Sequence, residues 1–278
     1  MPNPVARAPR REIRLVGHSP LFYWWPIWVF GFALAGWTYL EDDRMAIVPV
    51  TTKVSPAQAA GDSLNYTLTV PATSDHRVLD EAANRSGNEA AFRTRISKKA
   101  WMGPMWAFIL LLTIVITSVP MRGLWSFLVI ILLIVMALVF SLLNVWDVIF
   151  QAIDNLHIHV NMAGYLFIAT ALFIIWAVTV FLIDQRSYIT FTPGQIRICE
   201  HIGDSVRNFD TTGMTFEKQR DDLFRHIILG FGSGDLIVRT AGAERQEFKL
   251  SNVFGIGWKL DAVQELLREK TVTGTDSR

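Results

Sequence analysis

Cysteine is almost missing: Cys199 stands alone among 278 residues. No intrachain disulfide can form, and no cysteine-based metal cluster can assemble. That usage suits a domain facing a reducing cytoplasm. An excess of charge of either sign is missing too. Lysine and arginine total 26 and aspartate and glutamate 25, so no global field points to nucleic acid or to a strongly acidic partner. Charge is absent altogether from four blocks, Ser19 to Leu40, Ala100 to Met121, Gly123 to Trp146 and Asn155 to Ile183. Each exceeds the roughly 18 residues that mark a candidate bilayer span.

What fills the blocks is apolar. The chain is 51% hydrophobic with ten tryptophans, and an unpaired peptide group in hydrocarbon costs several kcal/mol, so each block is expected to be helical. Tyr23, Trp24, Trp25 and Trp28 open the first block, and Trp37 and Tyr39 close it. Trp101, Trp106, Trp125 and Trp146 sit near the ends of the next two, as indole rings at headgroup level would. Pro120 to Gly123 leaves room only for a tight turn, which predicts an antiparallel hairpin of the second and third helices. The first block also carries signal-peptide ingredients: a basic stretch with Arg7, Arg10, Arg11 and Arg14, and a small-residue site at Ala33-Leu34-Ala35. Its apolar run continues to Leu40, which favours an uncleaved helix.

Those four arginines place the N-terminus in the cytoplasm. Val145 to Gly164 contains no Lys or Arg but has Asp147 and Asp154, so it belongs outside. Four spans then put both termini inside and Glu41 to Lys99 outside. Arg93, Arg95, Lys98 and Lys99, on that outer side, run against the rule. Within the outer segment, Ile47 to Val50 and Leu64 to Val70 read as short strands, and Ala82 to Ile96 as a helix.

After Asp184 the period becomes two. Ile189 and Phe191 alternate, Thr192-Pro193-Gly194 turns the chain, and Ile196 and Ile198 alternate again. Met214, Phe216 and Lys218 mark a strand, Leu236 and Val238 another, and Phe248 and Leu250 a last, the final two joined through Ala241-Gly242-Ala243. Ile256, Leu260, Val263 and Leu267 recur at helical spacing after the cap candidates Ser251 and Asn252. The pattern predicts a small sandwich or partly open barrel covered by one helix.

Tyr188-Ile189-Thr190, Phe209-Asp210, Gln219-Arg220 and Leu229-Gly230-Phe231-Gly232 ahead of Asp235-Leu236-Ile237-Val238 resemble a bacterial pleckstrin-homology-like (PH-like) domain. The resemblance covers only this C-terminal part. It implies a PH-like fold, assembly into oligomers in some cases, and no catalytic residues. Acidic and basic residues nearly balance from Asp184 to Lys270, so the clustered Lys and Arg of an anionic-lipid site are missing.

Three constellations carry candidate chemistry. Asp154, His157 and His159 have the residue types for Zn, Fe or Mn. Asp154 and His157 share a helical face, whereas His157 and His159 converge only on extended chain. Headgroup-level polar side chains are the favoured reading. Lys218 to His226, with Asp221 and Asp222, reads as a solvated loop laced with ion pairs. Gly230-x-Gly232-x-Gly234 precedes a strand rather than opening a helix, so it reads as a turn and not a phosphate cradle.

The expected architecture is an α-helical membrane bundle of about four transmembrane helices plus a C-terminal β-rich PH-like domain with one closing helix. Residues 1–18 are a basic segment, 19–40 the first span and 41–99 an extracytoplasmic region. The remaining three spans occupy 100–183, with an amphipathic extension over 144–160; 184–270 is the soluble domain and 271–278 a flexible tail. The expected role is non-enzymatic: an inner-membrane protein presenting a cytoplasmic PH-like domain for protein interaction or oligomeric assembly. One alternative is a subunit of an oligomeric channel or transporter lined by Thr113, Thr117, Ser118, Thr170 and Thr179. The other is a membrane-embedded metalloenzyme on Asp154, His157 and His159. No catalytic residue and no cofactor are assigned. The expected partners are the lipid bilayer, further copies of the chain and a protein bound at the PH-like domain.

Overall fold

The computed structural model describes residues 12–72, 76–84, 92–119, 121, 123–199, 206–241 and 246–273. The described part opens with β1 (Ile13–Val16), followed by a 3-10 turn at Pro20–Trp24 and α1 (Trp25–Glu41). A segment of short pieces follows: β2 (Arg44–Met45), β3 (Lys53–Val54), β4 (Gln58–Ala60), β5 (Ser63–Asn65), β6 (Leu68–Thr69), α2 (Arg77–Ala83) and β7 (Thr94–Arg95). Next come α3 (Met102–Ser118), α4 (Leu124–Leu142), α5 (Val145–Asn155) and α6 (Met162–Val178), the last prolonged by a π-helical turn and a 3-10 turn to Arg186. The C-terminal part holds β8 (Tyr188–Thr192), β9 (Gln195–Cys199), β10 (Val206–Asp210) and β11 (Thr215–Gln219). A π-helical turn at Phe224–Leu229 leads to β12 (Gly234–Arg239), β13 (Glu247–Val253) and α7 (Ile256–Thr273).

The helices form a bundle in which α1 packs on α6 and on α3. Ile27, Leu34, Met102, Trp106 and Tyr165 are buried between them. Gly31 lets α1 approach α6 closely: a Cβ there would lie 2.8 Å from the Ala169 Cβ. The Trp106 indole N–H donates to Ile27 O at 3.0 Å and that of Trp176 to Phe22 O at 3.1 Å, so two rings tie the helices at their apolar seams.

The strands of the head lie in two antiparallel sheets, ordered β1-β8-β9-β10 and β11-β12-β13. Their period-two burial follows from the alternation of apolar residues, with Ile189, Phe191, Ile196 and Ile198 all turned inward. Leu15, these four, Leu236, Val238, Phe248 and Leu250 form one core with Ile256, Leu260, Val263 and Leu266 of α7. Gly194 takes φ +92° in the β8–β9 turn, a conformation open to glycine.

Several expectations are corrected. Among the described residues two helices, Leu124–Leu142 and Met162–Arg186, are long and apolar enough to cross a membrane, where four spans were expected. The first block loses its opening residues to the Pro20–Trp24 turn, because Tyr23 is fully buried at the head, and α1 is left with 17 residues. The second block stops at Ser118, where Val119 turns extended, and α3 also has 17 residues. The predicted α3–α4 hairpin is not formed either. The substantial helical partner of α4 is α5, and Ser126 is its only buried residue. Asn144, at φ +54°, breaks the supposed extension of the third helix into separate helices α4 and α5.

The head is not a closed PH-like sandwich. It consists of open sheets, and its first strand comes from Ile13–Val16, ahead of the helices, rather than from the C-terminal block. In the segment after α1, Ile47 to Val50 forms no strand; of the helix expected over Ala82 to Ile96, residues 85–91 lie outside the described residues, Ala82 and Ala83 end a helix over Arg77–Ala83, and Thr94–Arg95 is a strand. Of the N-terminal arginines only Arg14 lies within the described residues.

Candidate functional site

Where the bundle meets the head, polar side chains from four separated stretches converge in a buried joint. Tyr23 is brought there by the Pro20–Trp24 turn, His226 by the π-helical turn, Ser233 by the loop before β12 and Asn252 by the end of β13. All four are buried, Tyr23 and Ser233 completely. The Tyr23 hydroxyl donates to Asn252 Oδ1 at 2.8 Å and lies 3.2 Å from His226 Nδ1 and 3.1 Å from Ser233 Oγ. A phenol can supply one proton and accept others, so one hydroxyl serves three partners. Asn252 continues the network: its backbone N–H donates to Asp235 Oδ1 at 3.0 Å and its Nδ2 to His18 O at 2.8 Å. Asn252 takes a left-handed backbone conformation there, at φ +54°.

Charge in the joint is compensated. Lys249 Nζ sits 2.8 Å from Asp235 Oδ2, and His226 Nε2 lies 4.0 Å from Asp235 Oδ1. Burial works to raise the Asp235 carboxyl, but Lys249, the Asn252 N–H and His226 outweigh it and hold it below the usual range. Burial pushes the His226 imidazole down, against the pull of Asp235 and Asp222. The network thus surrounds a histidine whose burial favours its neutral form.

A second set of contacts fastens helix ends to the same region. Arg225 donates from Nε to Ile116 O at 2.9 Å and from its terminal nitrogen to Thr117 O at 2.9 Å. These are carbonyls of the last turn of α3, which no helical N–H can reach. Asp222 holds Arg225 in place at 3.3 Å. The Trp25 indole N–H donates to Leu229 O at 2.9 Å, and Asp221 O accepts from the Gly123 N–H at 2.9 Å and from Ser126 Oγ at 3.2 Å at the start of α4. Lys218 to His226 is therefore not a solvated loop. Asp222 and His226 are buried, and the stretch binds the ends of α3 and α4. Gly232, at φ +82°, makes the tight turn after it.

Beside the joint is a cavity of about 360 Å³ lined in part by His18, Ser19, Asp184, Ser187, Lys249 and Ser251. His18 Nδ1 lies 3.3 Å from Asp184 Oδ2, and Ser19 Oγ donates to that same oxygen at 3.4 Å. The residue types of a hydrolytic triad are present without its order. The serine hydroxyl donates to the carboxylate and not to the imidazole, so the serine–histidine hydrogen bond of that arrangement is not formed.

The far end of α1 is pinned too. The Glu41 carboxylate accepts from the Ser97 hydroxyl and, at 2.9 Å, from the Trp37 indole, and pairs with Lys99 at 3.2 Å. Asp42 pairs with Arg44 at 2.6 Å and Arg95 at 3.3 Å. Arg95 also lies over the Tyr39 ring and Lys99 over Trp37.

The sequence-derived site residues come out differently. Asp154 is on α5, His157 follows it at φ +47°, and His159 lies beyond. Each imidazole donates Nδ1–H to a nearby carbonyl, His157 to Asn155 at 2.7 Å and His159 to His157 at 2.9 Å. Among the described residues no group of three or more His, Cys, Asp and Glu could hold a metal ion, so the metalloenzyme reading is dropped. The channel reading loses three of its five lining residues, Thr113, Thr117 and Thr179, which are buried. Thr113, Thr117 and Thr179 donate their hydroxyls to carbonyls of their own helices, at Ile109, Thr113 and Ile175, each at 2.8 Å.

Sequence reasoning missed the joint itself. Tyr23 reads as one more belt aromatic, and Asn252 reads as a helix cap. The one available signal was a tight glycine turn, Gly230 to Gly234, set directly after a charged stretch.

Compared with family models, curated proteins and solved structures, the chain matches none. The resemblance to bacterial PH-like domains is thereby corrected as well: no family model supports it, and the open sheets and N-terminal first strand depart from it. The role built on that resemblance, presentation of a PH-like interaction domain, falls with it.

Proposed function

We propose that this chain is a multi-pass inner-membrane protein that carries conformational state between its 41–99 segment and its two-sheet head, without catalysing a reaction. In this reading α4 and α6 cross the bilayer, and the head lies with both termini on the cytoplasmic side. Arg95 and Lys99, at the end of α1 away from the head, are paired with Asp42 and Glu41.

The observation that carries the reading is the burial of Tyr23 at the foot of α1, its hydroxyl shared among His226, Ser233 and Asn252. A helix tethered by a surface loop transmits nothing. A helix whose foot is bonded into a packed core moves that core when it moves, and its other end is held by Ser97 and Lys99 through Glu41. Coupling across such an element is typically about 1–3 kcal/mol and acts in both directions.

Hydrogen exchange on protein reconstituted in liposomes tests it. Glu41→Gln, about 25 Å from the joint at 1.5 Å per helical residue, is expected to raise exchange at residues 226–252 of the head. The same change in a Tyr23→Phe background is expected to leave the head as it is in Tyr23→Phe alone. Exchange altered only around Glu41 would overturn the relay.

A further inference from the structure

α5 has no place in the protein core: none of its residues is buried. It is nevertheless strongly two-faced. Trp146, Ile149, Phe150, Ile153 and Leu156 occupy one side, and Asp147, Gln151 and Asp154 the other. Phe150 and Leu156 are each 60% exposed. At 11 residues the helix is far too short to cross a bilayer. It is clamped to the end of α4 and turned away from it. Asn144 breaks the helix, the Trp146 indole N–H donates to Ala137 O at 3.2 Å, and the Trp146 ring stacks on Phe150 and meets Phe140 edge-on.

Resting on the reading of α4 as a span, we propose that α5 lies in the surface layer of the bilayer as a lipid-binding helix for electrically neutral lipid. Continuity supplies the occupant: an apolar face beginning three residues after a span ends meets the headgroup and upper acyl region next. Charge selects the lipid. Val145 to Gly164 has no Lys or Arg, and the outward face carries Asp147 and Asp154. Anionic headgroups would repel this face, and the basic side chains that recruit them are missing. α4 starts on Asp221 O, next to Asp222 and the Arg225 that caps α3. A lipid change felt by α5 thus reaches the joint along one helix, which gives the relay an input.

The test uses the full chain with Cys199→Ser and one nitroxide-labelled cysteine, at Phe150, Ile153, Asp147, Gln151 or, midway along α4, Leu133. The protein is reconstituted in phosphatidylcholine vesicles and relaxed by lipid-soluble oxygen or by a water-soluble nickel chelate. The expected result is severalfold preference for oxygen at Phe150, Ile153 and Leu133, the reverse at Asp147 and Gln151, and no gain in that contrast with 30 mol% phosphatidylserine, about one charge for every three lipids. All four α5 labels in water with Leu133 in lipid would overturn the α5 assignment and leave the membrane reading standing. Leu133 in water would remove the membrane reading as well. Spin–spin broadening at Phe150 and Ile153 would assign the face to a second copy, and shielding from both reagents to another protein. A contrast that appears only with phosphatidylserine would overturn the choice of neutral lipid.

Discussion

The hydroxyl of Tyr23 and the amide oxygen of Asn252 lie 2.8 Å apart although 229 residues separate them in the chain. One belongs to the turn that leads into the first helix, the other to the last strand of the head. The whole length of helices and loops between them is bracketed by that bond and by the β1–β8 pairing next to it.

Removing the bond has a measurable cost. Tyr23→Phe leaves Asn252, His226 and Ser233 buried with a partner lost, and stranding a buried polar group costs about 1–3 kcal/mol. The head is expected to lose about that much unfolding free energy and so to unfold at lower urea concentration. Tyr39→Phe, at an exposed ring over which Arg95 stacks, is expected to change little. Urea titrations of the two variants in detergent compare them directly.

The N-terminal strand is as much part of the core as the C-terminal helix. Leu15 and Leu266 are both fully buried in the same cluster. Truncating either to alanine is expected to destabilise the head by about 2–5 kcal/mol. Gln264→Ala, on the exposed side of α7, is expected to be nearly silent. Limited proteolysis with mass analysis of the released head reads all three.

Acid should loosen the joint. The His226 imidazole is held below its ordinary value of 6.5, so the unfolded chain binds the proton more readily than the folded one. The stability this contributes is complete above pH 6.5 and is lost as pH falls toward the lowered value. Asp235, also lowered, adds a second loss at more acidic pH, below its ordinary 3.8. Melting of the wild-type head is expected to drop on going from pH 7.5 to 5.5, and His226→Gln is expected to flatten that part of the profile.

Glycines in α1 divide by their surroundings. A Cβ at Gly31 meets Ala169 at 2.8 Å and the Trp106 ring at 3.3 Å, whereas at Gly36 nothing lies within 4 Å. Gly31→Val is expected to separate α1 from α6 and lower the melting temperature of the bundle. Gly36→Ala is expected to be neutral or to stabilise, by up to about 1 kcal/mol from helix propensity. Thermal melts of the detergent-solubilised protein followed by circular dichroism distinguish the two.

Local signals in the chain reached the strands and stopped at the joint. Ile189, Phe191, Ile196 and Ile198 declare their strands because alternation is a property of neighbouring residues, and Ile256 to Val263 declare α7 in the same way. β1 is too short to show a period, and its partner lies on the far side of the helices. Apolar content located the helices but not their ends: Tyr23 left the first block for the head, and Val119 turned out of the second. Asp222 and His226 look like surface charge until Arg225 and Asp235 are seen beside them. Burial of a polar group depends on partners brought in from elsewhere in the chain.

In the proposed relay head and helices move as one body, and a distance across the joint reads that motion. Spin labels at Leu40, exposed at the far end of α1, and at Arg207, exposed on β10, span the molecule through Tyr23. Double electron–electron resonance in liposomes, with Cys199→Ser, is predicted to give one narrow distance peak that broadens in Tyr23→Phe. A broad distribution in the otherwise unaltered protein, unchanged by Tyr23→Phe, would contradict it.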